Sequence, residues 1–336
     1  MIAGRLQTLY GLCLLLGLLG APGAGCHHKP AAPKEAVATG KAAEPPAWSA
    51  PDTASIAAGK AGDLIRYGRR LISSTSCYFG PKGSIARISN GMNCQNCHLD
   101  AGTRPWGNNF GAVYSTYPKF RERRGAVENI FQRISDCFER SLNGHAPDST
   151  SLEMQAMRAY IQWVGKGVAR GVKPRGSGLE NLPLLSRAAD TAKGRILFLN
   201  KCTSCHGPGG QGQPEPGGIS YRYPPLWGPS SYNTGAGLYR ISRLAAYISN
   251  NMPFGSTHAS RQLSDEQAWD LAAFVNSRPR PSGHFKGDWP DISQKPFDHP
   301  FGPYVDSFPE SMHKYGPFAP ILQAKKDLAA AGTRRR

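Results

Sequence analysis

No stretch of the 336-residue sequence is apolar for long enough to cross a bilayer, which takes about 20 residues. Acidic residues are scarce: 23 Asp and Glu stand against 40 Lys and Arg, a net charge of +17. A balance of that size points to an acidic partner, whether nucleic acid, anionic lipid, an acidic protein or a small anion. The basic residues are scattered and no nucleic-acid-binding motif is present, so nucleic acid is set aside. There is no Gly-X-Y period, which excludes collagen despite 39 Gly and 28 Pro. That glycine and proline share predicts short elements joined by irregular chain, held by something beyond regular packing. What is present, 40% hydrophobic and 10% aromatic residues, is globular, and the length has room for two domains.

The only apolar core of note is short, Tyr10 to Leu19, between Arg5 and the small residues Ala21 to Gly25. This order reads as an export signal over residues 1–25 and predicts a periplasmic protein. Gly23-Ala-Gly-Cys26 resembles a bacterial lipoprotein cleavage box with Gly where Leu is usual. Two readings of Cys26 stand: a lipid anchor, or a thiol left by ordinary signal cleavage. Residues 26–55, rich in Ala, Pro and Lys without an apolar period, are expected to form a flexible linker.

Beyond it the chain repeats itself. Gly68-Arg-Arg-Leu71 is followed by Cys94-Gln-Asn-Cys97-His98 and by a helical run from Leu152 to Val164. Gly194-Arg-Ile-Leu197 is followed by Cys202-Thr-Ser-Cys205-His206 and by a run opening at Ser264, with Gln267 placed for a capping box. C-x-x-C-H is the attachment signature of c-type haem: the thiols add to the two vinyl groups and the adjacent His reaches iron. A zinc or redox C-x-x-C pair is the competing reading. Chance would place roughly 0.005 such motifs in a chain of this composition. Two in matching contexts predict two covalent haems, on Cys94 and Cys97 and on Cys202 and Cys205, with His98 and His206 as proximal iron ligands. The expected fold is all-α, two tandem cytochrome-c-like domains over 56–178 and 179–282. The remainder, 283–336, is expected to be an irregular strap.

The distal ligands differ between the halves. Between the second motif and its closing helix stands a single Met, Met252, with His258 as competitor. A thioether raises the potential and suits electron transfer. Between Leu99 and Ser151 there is no Met, only Cys137 and His145. Met154 and Met157 lie on the closing helix, where core packing is the plainer role. Cys137 falls in an apolar-periodic run with Arg133 one turn before it and Ser141 one turn after, which predicts an anion-facing helix stripe ending at Asn143-Gly144. A thiolate ligand would lower the haem potential and suit a catalytic centre.

Ile88 to Gly102, Tyr117-Pro-Lys-Phe-Arg121, Asp136 to Gly144, Asn251-Met-Pro-Phe-Gly255 and the tail around Asp298 to Pro303 together resemble the dihaem thiosulfate dehydrogenases, also called tetrathionate reductases. The resemblance runs from about Gly59 to Ile321. It implies an oxidoreductase that joins two thiosulfates into tetrathionate with release of two electrons, or runs the reverse reduction, and passes electrons to a cytochrome c or similar partner. It implies His98 and Cys137 as ligands of the active-site haem, His206 and Met252 as ligands of the second, and Arg123, Arg133 and Ser141 as further catalytic residues. Some members carry Lys just before the Met as an exchangeable ligand; here that residue is Asn251. The expected chemistry is a Cys137 that leaves iron, bonds the sulfane sulfur of one thiosulfate and is displaced by a second. The rival reading is a dihaem carrier with no catalysis, in which Arg123, Arg133 and Ser141 are merely surface and cap residues.

Overall fold

The computed structural model describes residues 47–283 and 285–333. The expected export signal, Cys26 and most of the expected linker lie outside the described residues. The described end of the linker stretch is tied to the first domain: Trp48 is buried in its core, and its backbone N–H donates to the carbonyl of Arg175. Among the described residues no helix is long and apolar enough to cross a membrane.

The described residues are mainly helical, with two short two-stranded sheets among them. In the first half, α1 (Lys60–Ser73) packs across α3 (Leu152–Val164). Between them run a hairpin of β1 (Lys119–Arg121) and β2 (Ala126–Glu128), then α2 (Ile130–Asp136). In the second half, α4 (Thr191–Lys201) packs across α6 (Asp265–Asn276), with α5 (Ile241–Asn251) against α6. Local signals explain the starts. Asn129 and Gln132 form a capping box on α2, Ser264 and Gln267 the expected one on α6, and the Ser151 hydroxyl caps α3.

The repeat is visible in the helix crossings. A Cβ on Gly68 would lie 2.0 Å from the carbonyl oxygen of Ala156, and one on Gly194 would lie 2.0 Å from that of Asp270. The equivalent glycine in each half therefore lets two backbones touch. Gly68→Ala and Gly194→Ala are each expected to lower stability by about 1–3 kcal/mol through overpacking, read as a lower urea midpoint with haem content unchanged.

Each half has its own apolar core. Leu71, Phe138, Tyr160 and Val164 centre the first, joined by Met154 and Met157 in the packing role expected of them. Phe198, Ile241, Trp269 and Leu271 centre the second. The C-terminal stretch is less irregular than expected. It ends in α7 (Ala319–Thr333), and Phe318 and Ile321 are buried in the second core. Pro and aromatic residues dominate the composition of that stretch, but its last part, Ala-Lys-Leu rich, is a good helix former.

Candidate active site

His98 and His206 are held alike. The Nδ1 of His98 pairs with the backbone carbonyl of Asn108 at 2.5 Å, and that of His206 with the carbonyl of Pro224 at 3.0 Å. A carbonyl on Nδ1 fixes the ring and leaves Nε2 as the ligating atom. Burial pushes His98 down to about 4 and lowers His206 as well, so both rings are neutral near pH 7. Burial also pushes Cys94 and Cys97 up to about 12 and Cys202 to about 11, and none of these thiols is paired in a disulfide. Among the described residues no three His, Cys, Asp or Glu side chains gather into a metal-holding group, which counts against the zinc reading. Neutral, unpaired thiols beside a fixed imidazole fit a covalently attached haem.

The first motif opens on a cavity of about 800 Å³. Ile72, Met92, Phe110 and Ile161 give it an apolar wall, and Cys137, Arg133 and Ser141 line it too. The helix carrying them is not the regular one the spacing predicted. Ile130–Asp136 is α-helical, but Cys137–Ser141 forms a single π-helical turn, after which Asn143 takes the left-handed conformation and the helix stops. A π turn widens the step, so Ser141 is rotated away from the Arg133–Cys137 line although it still reaches the cavity.

Arg133 lies beside Cys137, whose charge raises the guanidinium above its ordinary pKa despite burial. Arg123 also lines the cavity, but its guanidinium is bonded to Asp136. Asp136 further holds Arg124 and Arg140, each at 3.4 Å. Arg140 reaches Asp288 with two 2.8 Å hydrogen bonds and lies over the Phe285 ring. The backbone of Trp289 donates to the carbonyl of Arg123 at 2.7 Å. The C-terminal stretch thus clamps the turn that presents Cys137. Lys119 and Arg121, on the same cavity wall, were not singled out as site residues.

In the second half Met252 directly follows α5 and rests half-buried on the second core. Its competitor His258 is engaged elsewhere: its Nδ1 lies 3.1 Å from Glu180 and 2.9 Å from Asn250, and its ring stacks on Trp106 at 3.8 Å. The halves meet at the first motif and beside Met252. Tyr247 donates to the carbonyl of Asn96, inside the first motif, at 3.0 Å. Asn251 donates to the carbonyl of Trp106 at 3.1 Å, so the residue in the exchangeable-lysine position is a buried interdomain contact.

Residues 84–169 match the family model described as SoxA/TsdA, cytochrome c domain, and residues 191–279 match that of cytochrome c. The two cytochrome c domains carry two covalent c-type haems. The chain is 36% identical over 242 residues to a thiosulfate dehydrogenase of Stutzerimonas stutzeri, covering 72% of this chain and 76% of that one. It is 39% identical over 246 residues to one of Allochromatium vinosum, covering 71% and 87%. A solved thiosulfate dehydrogenase from Marichromatium purpuratum superposes with a TM-score of 0.65 at 31% identity. That match covers 72% of this chain and 51% of the other, so the chain spans about half the solved one.

Proposed function

Because the chain belongs to the thiosulfate dehydrogenase family, we propose that it couples two thiosulfates into tetrathionate at Cys137, with the reverse reduction at the same site. The observation that carries this is the cavity. Its volume is what a haem needs, but its lining is not that of a simple relay: opposite the first motif it presents the Cys137 thiol and the Arg133 guanidinium in place of a neutral Met or His. Haem held by Cys94, Cys97, His98 and Cys137 would supply the electron acceptor, and a second haem held by Cys202, Cys205, His206 and Met252 would supply the relay.

The protein's own residues do the rest. Arg133 takes the sulfonate of one thiosulfate in a forked, charge-assisted contact and sets its sulfane sulfur against Cys137. The Cys137 thiolate and that sulfur form an S–S bond with loss of two electrons. A second thiosulfate attacks the sulfane sulfur, the new S–S bond completes tetrathionate, and Cys137 leaves as thiolate, ready to repeat. Ser141 donates a hydrogen bond into the cavity. Arg123, neutralised by Asp136, acts by positioning the turn. The net positive charge raises the arrival rate of dianions. The export signal read at the N-terminus supports a periplasmic reaction, with Cys26 either a lipid anchor or a thiol left by signal cleavage, and a cytochrome c or similar protein taking the electrons.

The test is thiosulfate-dependent reduction of an artificial acceptor by haem-loaded protein. One tetrathionate per two electrons is expected. No turnover with thiosulfate, and none with tetrathionate in reverse, would leave the carrier reading in its place.

A further inference from the structure

The basic side chains around the cavity fall into two sets. Arg123, Arg140 and Arg240 are each neutralised within the protein, by Asp136, Asp288 and Asp298. Lys119, Arg121, Arg133 and Lys173 also line the cavity, and among the described residues none of the four has a carboxylate or hydrogen-bond partner for its side chain, although Lys119 lies over the Tyr117 ring at 4.8 Å; Arg243 reaches only the neutral Asn181 amide. The Arg121 Nε is fully buried and orphaned. A buried guanidinium N–H without an acceptor costs about 1–3 kcal/mol or more, so Arg121 awaits an acceptor that enters the cavity, either a carboxylate of the haem or an anionic substrate, and the affinity measurement below separates the two.

The backbone explains the pairing of these residues. Strand alternation puts Lys119 and Arg121 on one face of β1, toward the cavity, and turns Phe120, more than half exposed, to the other. The nearest acid, Glu128, stands opposite Lys119 in the hairpin but is spoken for: its carboxylate lies 3.4 Å from the Tyr117 hydroxyl and 3.6 Å from Arg124. Lys119 and Arg121 are close enough to Arg133 that Lys119 is held below its ordinary pKa, first by burial and then by these two cations. Several cations with no carboxylate bonded to them thus share one cavity, which can seat more than one anion.

We propose that Lys119 and Arg121 form a second sulfonate subsite, distinct from the one at Arg133, which holds the second thiosulfate as its sulfane sulfur attacks the adduct on Cys137. The proposal rests on the reading of Cys137 as the sulfur carrier. It explains how two dianions share one cavity: each sulfonate has its own cationic seat, and only the two sulfane sulfurs meet. Tetrathionate, with a sulfonate at each end, spans both seats.

Two measurements on haem-loaded protein test it: tetrathionate binding by calorimetry, and the mass of the Cys137 adduct after oxidised protein meets thiosulfate. In Arg121→Gln, tetrathionate is expected to bind about 10- to 100-fold more weakly, the loss of a charge-assisted hydrogen bond, while the adduct still forms. The KM for thiosulfate rises, and Arg121→Lys recovers part of the affinity. Lys119→Gln, at the other end of the strand, gives a smaller shift of the same sign and guards against misfolding of one variant. Unchanged tetrathionate affinity overturns the proposal. So does an Arg121→Gln protein with native haem spectra that no longer forms the adduct, since Arg121 would then serve the first thiosulfate. If the parent protein forms no adduct, the Cys137 reading fails, and the binding measurement still decides whether Arg121 seats a sulfonate.

Discussion

Cys137→Ser is expected to cut thiosulfate oxidation by about 10³-fold or more while both haems stay attached. The change is nearly isosteric and opens no cavity, so the π turn and its clamp persist. What is lost is the sulfur. A serine oxygen cannot form the S–S bond that carries one thiosulfate while the next arrives, and its neutral hydroxyl is a weak iron ligand. Arg133 keeps its place but loses the neighbouring charge that raises its pKa. Attachment through Cys94, Cys97, Cys202 and Cys205 is untouched, so the haem-to-protein ratio read by absorbance should equal that of the parent. Acceptor reduction with thiosulfate is the measurement. Normal turnover in a fully haem-loaded Cys137→Ser protein would remove Cys137 from the mechanism.

Much of this site could be read from the sequence because its chemistry is local. Two C-x-x-C-H motifs, the Met-free interval before Ser151, and Arg133 four residues before Cys137 are short-range patterns, and Cys94, Cys97, His98, Arg133 and Cys137 line one cavity. What escaped is non-local. Regular helical spacing aligned Ser141 with Cys137, but a π turn fed by packing from Phe138 into the core breaks that register. Arg123 read as a free anion-binding arginine because nothing in the sequence says that Asp136 takes its charge. Arg140 finds Asp288 across 148 positions, beyond any periodicity argument. Arg121 shows the converse: its segment, Tyr117 to Arg121, carried the family resemblance but no role, and the role comes only from the buried Nε without a partner in the protein. The sequence anticipated a C-terminal strap but not its seat over the catalytic turn.

Asp136→Asn is expected to destabilise the haem-loaded protein by about 3–5 kcal/mol near pH 7, the range for removing one partner of a buried ion pair. Asp136 is 2% exposed and is the shared anion of Arg123, Arg124 and Arg140. An amide keeps one acceptor but not the charge, so the buried Arg123 guanidinium is left uncompensated, whereas Arg140 retains Asp288 and the more exposed Arg124 retains Glu128. The pH dependence carries a sign. Burial opposes ionisation of Asp136, but Arg123, Arg140, Arg133 and Arg124 outweigh it and hold its pKa below the ordinary value. A depressed folded pKa gives stability that is fully present above the unfolded value of about 3.9 and is lost as pH falls through the folded one. The parent protein therefore loses this contribution in acid, whereas Asp136→Asn lacks it at every pH, and the two urea midpoints should converge as pH drops below about 4. Because the same carboxylate holds the turn that presents Cys137, turnover at neutral pH falls with stability, and thiosulfate KM rises less than kcat drops. Equal urea midpoints at pH 7 would mean that the Asp136 cluster contributes no net stability, and the clamp on the Cys137 turn would have to be sought in the Arg140–Asp288 pair alone.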